Sequence, residues 1–69
     1  MIRHPSIEHV MQFFSYDHLS EPLRSVSARF AALAEEVAAQ SNNQETTVAL
    51  RKLLEAKDAA VRAMLVRGS

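Results

Sequence analysis

The chain has 69 residues, no cysteine, a single glycine, and eight Lys/Arg against eight Asp/Glu. That length allows one small domain, which buries only roughly 60% of the surface its unfolded chain exposes and usually needs a partner chain, a metal or a cross-link to hold it. The composition excludes disulfides and thiolate metal sites, lacks the basic excess of a phosphate-backbone binder, and with Gly68 alone offers no phosphate-cradling loop, dinucleotide turn or nucleophile elbow.

Met1 to Pro5 lacks the basic-then-apolar pattern of a secretory signal, and no apolar run approaches membrane-spanning length, so a soluble, cytoplasmic protein is expected. Pro5 and Ser6 suit a helix start. Ile7, Val10, Met11 and Phe14 then form one apolar stripe at i, i+3, i+4 and i+7, which predicts a short helix over about 6–14. A helix this short is unstable alone and must dock on something. A joint follows, Phe14-Ser15-Tyr16-Asp17-His18-Leu19, which brings an aromatic, a carboxylate and an imidazole together. Ser20 reads as an N-cap with Glu21 and Pro22 in the first turn, and Leu23, Val26, Phe30, Leu33 and Val37 give a helical seam over about 21–40. Ser41-Asn42-Asn43-Gln44 reads as a tight turn, and the Asn42/Glu45 spacing is that of a capping box.

The last helix is predicted over about 44–66, with Gly68 placed as its C-cap glycine. Leu50, Leu53, Leu54, Val61, Met64 and Leu65 share one face. Val48, Ala56, Ala59, Ala63 and Val66 share a second, and a thin strip carrying Arg51/Glu55 and Asp58/Arg62 as i,i+4 pairs lies between them. A hairpin needs only the first face, so the second predicts self-association. The fold class is all-α: one domain over 1–69, a short N-terminal helix plus an antiparallel two-helix hairpin, assembling into a helical homo-oligomer.

Five residues carry the chemistry that the sequence offers. Tyr16, outside both stripes, suits stacking on a base or flat ligand, or packing over the open end of the hairpin with its hydroxyl in water. His18 shares the joint and suits donation to a phosphate or base. His4, His9 and His18 lack metal-site spacing and read as surface or capping groups. Lys57 sits in the leucine face, where an unpaired ammonium is costly. It must snorkel, pair with Glu21, Glu35 or a neighbouring subunit, or meet an anion at an interface, and there it would also fix register. Arg24 and Arg29 flank the second helix and suit phosphate contacts, or solvation. With no nucleophile–base pair and no oxyanion loop, no enzyme is expected, and no cofactor.

The run Phe14-Ser15-Tyr16-Asp17-His18-Leu19, followed by Leu23, Val26-Ser27, Phe30, Leu33-Ala34 and then Ala49-Leu50-Arg51-Lys52-Leu53-Leu54-Glu55-Ala56-Lys57-Asp58-Ala59-Ala60-Val61-Arg62-Ala63, resembles the hairpin domain of bacteriophage anti-defence sponges. These are proteins that sequester the cyclic nucleotide signals of the CBASS and Thoeris immune systems. The resemblance spans about residues 7–65. It implies a compact homo-oligomer, typically a hexamer, in the host bacterial cytoplasm. Cyclic dinucleotides or cyclic ADP-ribose isomers would lie between protomers, and in some members cyclic trinucleotides at another interface. It carries base stacking over to Tyr16. A lysine that meets the phosphates in some sponges has no match: Ala31 stands at about that place, with Arg29 the nearest cation. The expected partners are therefore a cyclic nucleotide and further copies of the chain, with no DNA or RNA polymer and no membrane. A competing reading is a small adaptor docking a protein through the alanine-rich face.

Overall fold

Pro5, with no N–H to lose, occupies the first turn of α1 (Pro5–Met11), and the His4 side chain caps it by accepting from the Ser6 N–H at 3.1 Å. The computed structural model describes residues 3–67, the last of them for its backbone alone. α1 is shorter than the predicted 6–14, because residues Gln12–Phe14 tighten into a 3₁₀ turn that still buries Phe14. α2 (Leu23–Gln40) and α3 (Gln44–Arg67) follow, and no strand forms among the described residues. The proposed glycine cap at Gly68 lies outside the described residues. No helix among them is long and apolar enough to cross a membrane.

α1 docks across the hairpin as its length requires. Ile7, Val10 and Phe14 meet Ala34, Ala38 and Leu50 in one buried cluster, so half of the core comes from the N-terminal segment. Polar ties fix the same corner. The His4 N–H donates to Asn42 Oδ1 at 3.1 Å, the Ser6 and Thr47 hydroxyls meet at 3.0 Å, and Arg3 pairs with Glu8 at 3.7 Å and with Glu35.

The buried face of α2 differs from the predicted seam. Ser27, Ala34 and Ala38 are buried, whereas Leu33 is 46% exposed and Phe30 and Val37 flank the core. At ~100° per residue the small residues lie about a quarter turn from the large apolar ones. Short side chains at the contact line let two helices approach closely, with the bulky residues splayed to one side. One consequence is an orphan: the Ser27 Oγ is buried with no hydrogen-bond partner among the described residues.

The helix starts also shift. α3 is capped by Asn43 and Thr46, not by Asn42 and Glu45. Asn43 Oδ1 accepts from the Thr46 N–H at 3.1 Å, and Thr46 Oγ1 accepts from the Asn43 N–H at 3.3 Å. Asn42 is taken by His4, which leaves its neighbour to cap. α2 starts at Leu23, not 21, and the Ser20 side chain does not cap it. The Glu21 carboxylate, long enough to reach into the first turn, accepts from the Ser25 N–H at 3.2 Å and from the Ser25 hydroxyl.

α3, at ~1.5 Å per residue, outruns α2 by about 9 Å. Its second face is open: Val48 is 47% exposed and Val66 70%, with Ala56, Ala59 and Ala63 exposed between them. The charged strip pairs differently from its i,i+4 spacing. Glu55 meets Lys52 at 4.0 Å and Asp58 meets Lys57 at 2.9 Å.

Candidate ligand-binding site

Ser15 to Leu19 cross from the end of the 3₁₀ turn toward α2, and a hydrogen bond from the Leu19 N–H to the Tyr16 carbonyl, 3.0 Å, closes the turn. This crossing has two sides, each with its own groove, and Gln12 and Ser15 border both. The five candidate residues are thereby divided.

On the α2 side, Tyr16 is partly buried and lines a groove of about 390 Å³ with Phe14, Ala28, Ala31, Ala32 and Glu35. Its neighbours in this groove, Ala28 to Glu35, belong to the middle of α2. Side chains as short as those of the three alanines leave space in this groove, which suits a flat group. No cation among the described residues lines this groove, and its one carboxylate there, Glu35, is engaged by Arg3.

On the α3 side, His18 and Lys57 line a groove of about 380 Å³ with Gln12, Phe13, Ser15, Leu19, Asp58, Val61 and Arg62. Lys57 pairs with neither Glu21 nor Glu35. Its side chain is 13% exposed and its ammonium meets Asp58, the next residue along. Neighbours on a helix point ~100° apart, so the lysine stem runs around the helix to leave the leucine face, which is snorkelling with a carboxylate at its end. Both grooves fall within the ~300–1,000 Å³ range of small-molecule sites.

Arg24 and Arg29 join neither groove. Arg24 Nε pairs with Glu21 at 3.6 Å on the surface, and Arg29 is exposed with no ion pair among the described residues. The hydrogen bonds from Ser25 hold the Glu21 carboxyl below its ordinary 4.5. Slight desolvation opposes them, and Arg24 adds attraction. A larger cavity, about 620 Å³, opens at the opposite corner among His4, Ser6, Asn43, Gln44, Thr47, Val48 and Arg51, and contains none of the five.

Two groove residues were missed in the sequence. Phe13 lies off the α1 stripe, 50% exposed, with its ring edge-to-face against His9 at a centroid distance of 5.4 Å. In the sequence Arg62 reads as half of an i,i+4 pair with Asp58, but Asp58 turns to Lys57 and the guanidinium forms no ion pair among the described residues. The detectable signal was helical spacing: Asp58/Arg62 and Lys57/Val61 are adjacent i,i+4 rows and wall one groove. No group of three or more His, Asp or Glu gathers as a metal site among the described residues.

No protein-family model, no curated protein and no solved structure matches the chain.

Proposed function

We propose that this chain is a non-catalytic, phage-encoded sponge that holds cyclic nucleotide immune signals at subunit interfaces and so keeps them from host CBASS or Thoeris effectors. The observation that carries the reading is the groove that Tyr16 lines with three alanines, about 390 Å³, with no cation among the described residues that line it. A nucleotide stacked there needs its phosphates met from elsewhere, and a neighbouring protomer is the simplest source. The uncovered second face of α3 supports such an assembly, since a row of alanines permits close helix approach. A hexamer follows from the resemblance alone.

Titration calorimetry against cyclic dinucleotides, cyclic trinucleotides and cyclic ADP-ribose isomers tests this. Tyr16→Ala is expected to weaken the bound signal by roughly 1–3 kcal/mol, with an unchanged mass by light scattering. Tyr16→Phe loses much less, because stacking needs the ring. Equal affinity of wild type and Tyr16→Ala would remove Tyr16 from the site.

The exposure of Val48, Leu65 and Val66 favours a second reading, a helical adaptor that docks a protein partner and binds no small molecule. On that reading no member of the panel binds, and Tyr16→Ala alters stability alone.

A further inference from the structure

Lys57 is a cation that the fold keeps nearly buried. It stands among leucines, 13% exposed, where a methionine of similar volume would pack without desolvating a charge. Its ammonium has three N–H donors, and Asp58 Oδ1 takes one of them. Lys57 itself lines the groove between the joint and α3, so the remainder are available there. Arg62, one turn beyond Asp58, brings a guanidinium to the same groove, and His18 an imidazole. No ion pair or hydrogen bond engages the Arg62 or His18 side chain among the described residues. Among the described residues Lys57 and Arg62 therefore share one carboxylate, Asp58, which is itself committed to Lys57, and the walls are apolar: Phe13, Leu19 and Val61. Low-dielectric walls strengthen the attraction of such a groove for an anion.

We infer that this groove is a phosphoryl-binding site, with Lys57 and Arg62 as its cationic donors, His18 as a third donor, and the half-exposed Phe13 ring at its mouth. The ligand class is a phosphodiester or pyrophosphate carrying an aromatic base. Arg62 supplies a planar fork for two phosphate oxygens, Lys57 a point charge held in place by Asp58, and Phe13 a face for the base. The site rests on the sponge reading only for the source of its ligand. It supplies the phosphate contact that the Tyr16 groove lacks, and it does so from residues of α3 rather than from Arg24 or Arg29.

Calorimetry of the full chain with sodium pyrophosphate, and separately with 3′,3′-cyclic di-AMP, tests the inference. Arg62→Gln alters an exposed side chain, and Lys57→Met replaces a nearly buried cation by an isostere, so both variants are expected to fold, as circular dichroism will report. Each should lower pyrophosphate affinity by roughly tenfold or more, the scale of one charge-assisted hydrogen bond, with His18→Gln lowering it less. Arg24→Gln, a surface cation outside the groove, should change it less than twofold. Phe13→Leu should spare pyrophosphate and weaken cyclic di-AMP. A similar small loss for Arg24→Gln and Arg62→Gln would reveal diffuse attraction and overturn the site. Cyclic di-AMP binding that depends on Tyr16 but not on Arg62 or Lys57 would also overturn it, while leaving the sponge reading intact. Pyrophosphate binding that depends on the groove, in a chain that binds no cyclic nucleotide, would uphold the site and sink the sponge.

Discussion

The two ends of this molecule are built differently. At the turn end, α1 lies across the hairpin, Ile7 and Leu50 are fully buried, and polar groups are paired: His4 with Asn42, Ser6 with Thr47, Asn43 with Thr46. At the joint end, α3 overhangs α2, Leu65 is 61% exposed, and the side chains of His18 and Arg62 stand without partners among the described residues. Stability is concentrated where hydrogen bonds and apolar contacts close on themselves. The joint end holds the unpartnered cation and imidazole on which the proposed ligand site rests, since a ligand can satisfy only groups that the fold has left free. An elongated molecule, 42 × 19 × 16 Å, keeps the two ends apart.

That division places the largest stability effect at the turn end. Leu50→Ala or Ile7→Ala should cost about 2–5 kcal/mol, comparable with the entire stability expected of a 69-residue chain at ~0.05–0.15 kcal/mol per residue. Thermal melts should show loss of the cooperative transition, whereas Leu65→Ala at the other end should change little.

Next in size is Asn43→Ala, which removes the α3 cap and should destabilise by about 1 kcal/mol in urea. Asn42→Ala should cost a similar amount through a different bond, the one to the His4 N–H, by freeing α1. If Asn42 proved the stronger cap of the two, the assignment of the box would be wrong.

Ser27→Ala sharpens the comparison in the opposite direction, because Ser27 is the one place in the core where a polar atom is left unpaired among the described residues. Removing that hydroxyl should raise stability by about 1 kcal/mol, visible as a higher denaturation midpoint. A loss of stability would mean that the hydroxyl has a partner after all.

The smallest effect belongs to Glu21. Its carboxyl is held below the ordinary 4.5 in the folded chain, so its contribution is present above that value and lost as pH falls through the lower, folded one. Wild type should therefore lose slightly more stability below pH 4.5 than Glu21→Gln, and the two should run parallel above it.

Much of this was legible in the sequence, and the failures share a cause. The three helices, the turn and the docking of α1 followed from periodicity and from the length of a helix too short to stand alone. Periodicity weighted α2 by its large apolar residues, but close packing buried Ser27, Ala34 and Ala38, whose smallness was the relevant property. The two asparagines at the turn have equal capping propensity, and the choice between them is made by the His4 N–H, 38 residues away in the chain. The joint stands out in the sequence for its mix of an aromatic, a carboxylate and an imidazole. Its division into two grooves, with Tyr16 on one side and His18 and Lys57 on the other, depends on where α2 and α3 lie and has no counterpart in residue spacing. Arg62 is hidden in the sequence by an i,i+4 spacing that pairs it with Asp58, a carboxylate that the snorkelling Lys57 takes instead.

The most direct measurement of the central proposal is recovery of ligand. The purified protein is incubated with a panel of cyclic nucleotides, washed, denatured by heat, and the released material identified by chromatography and mass. A sponge is expected to return one class of cyclic nucleotide chemically intact, in a fixed ratio to protein, from an assembly larger than the 7.7 kDa protomer. Return of a linearised product, or of nothing, would contradict it.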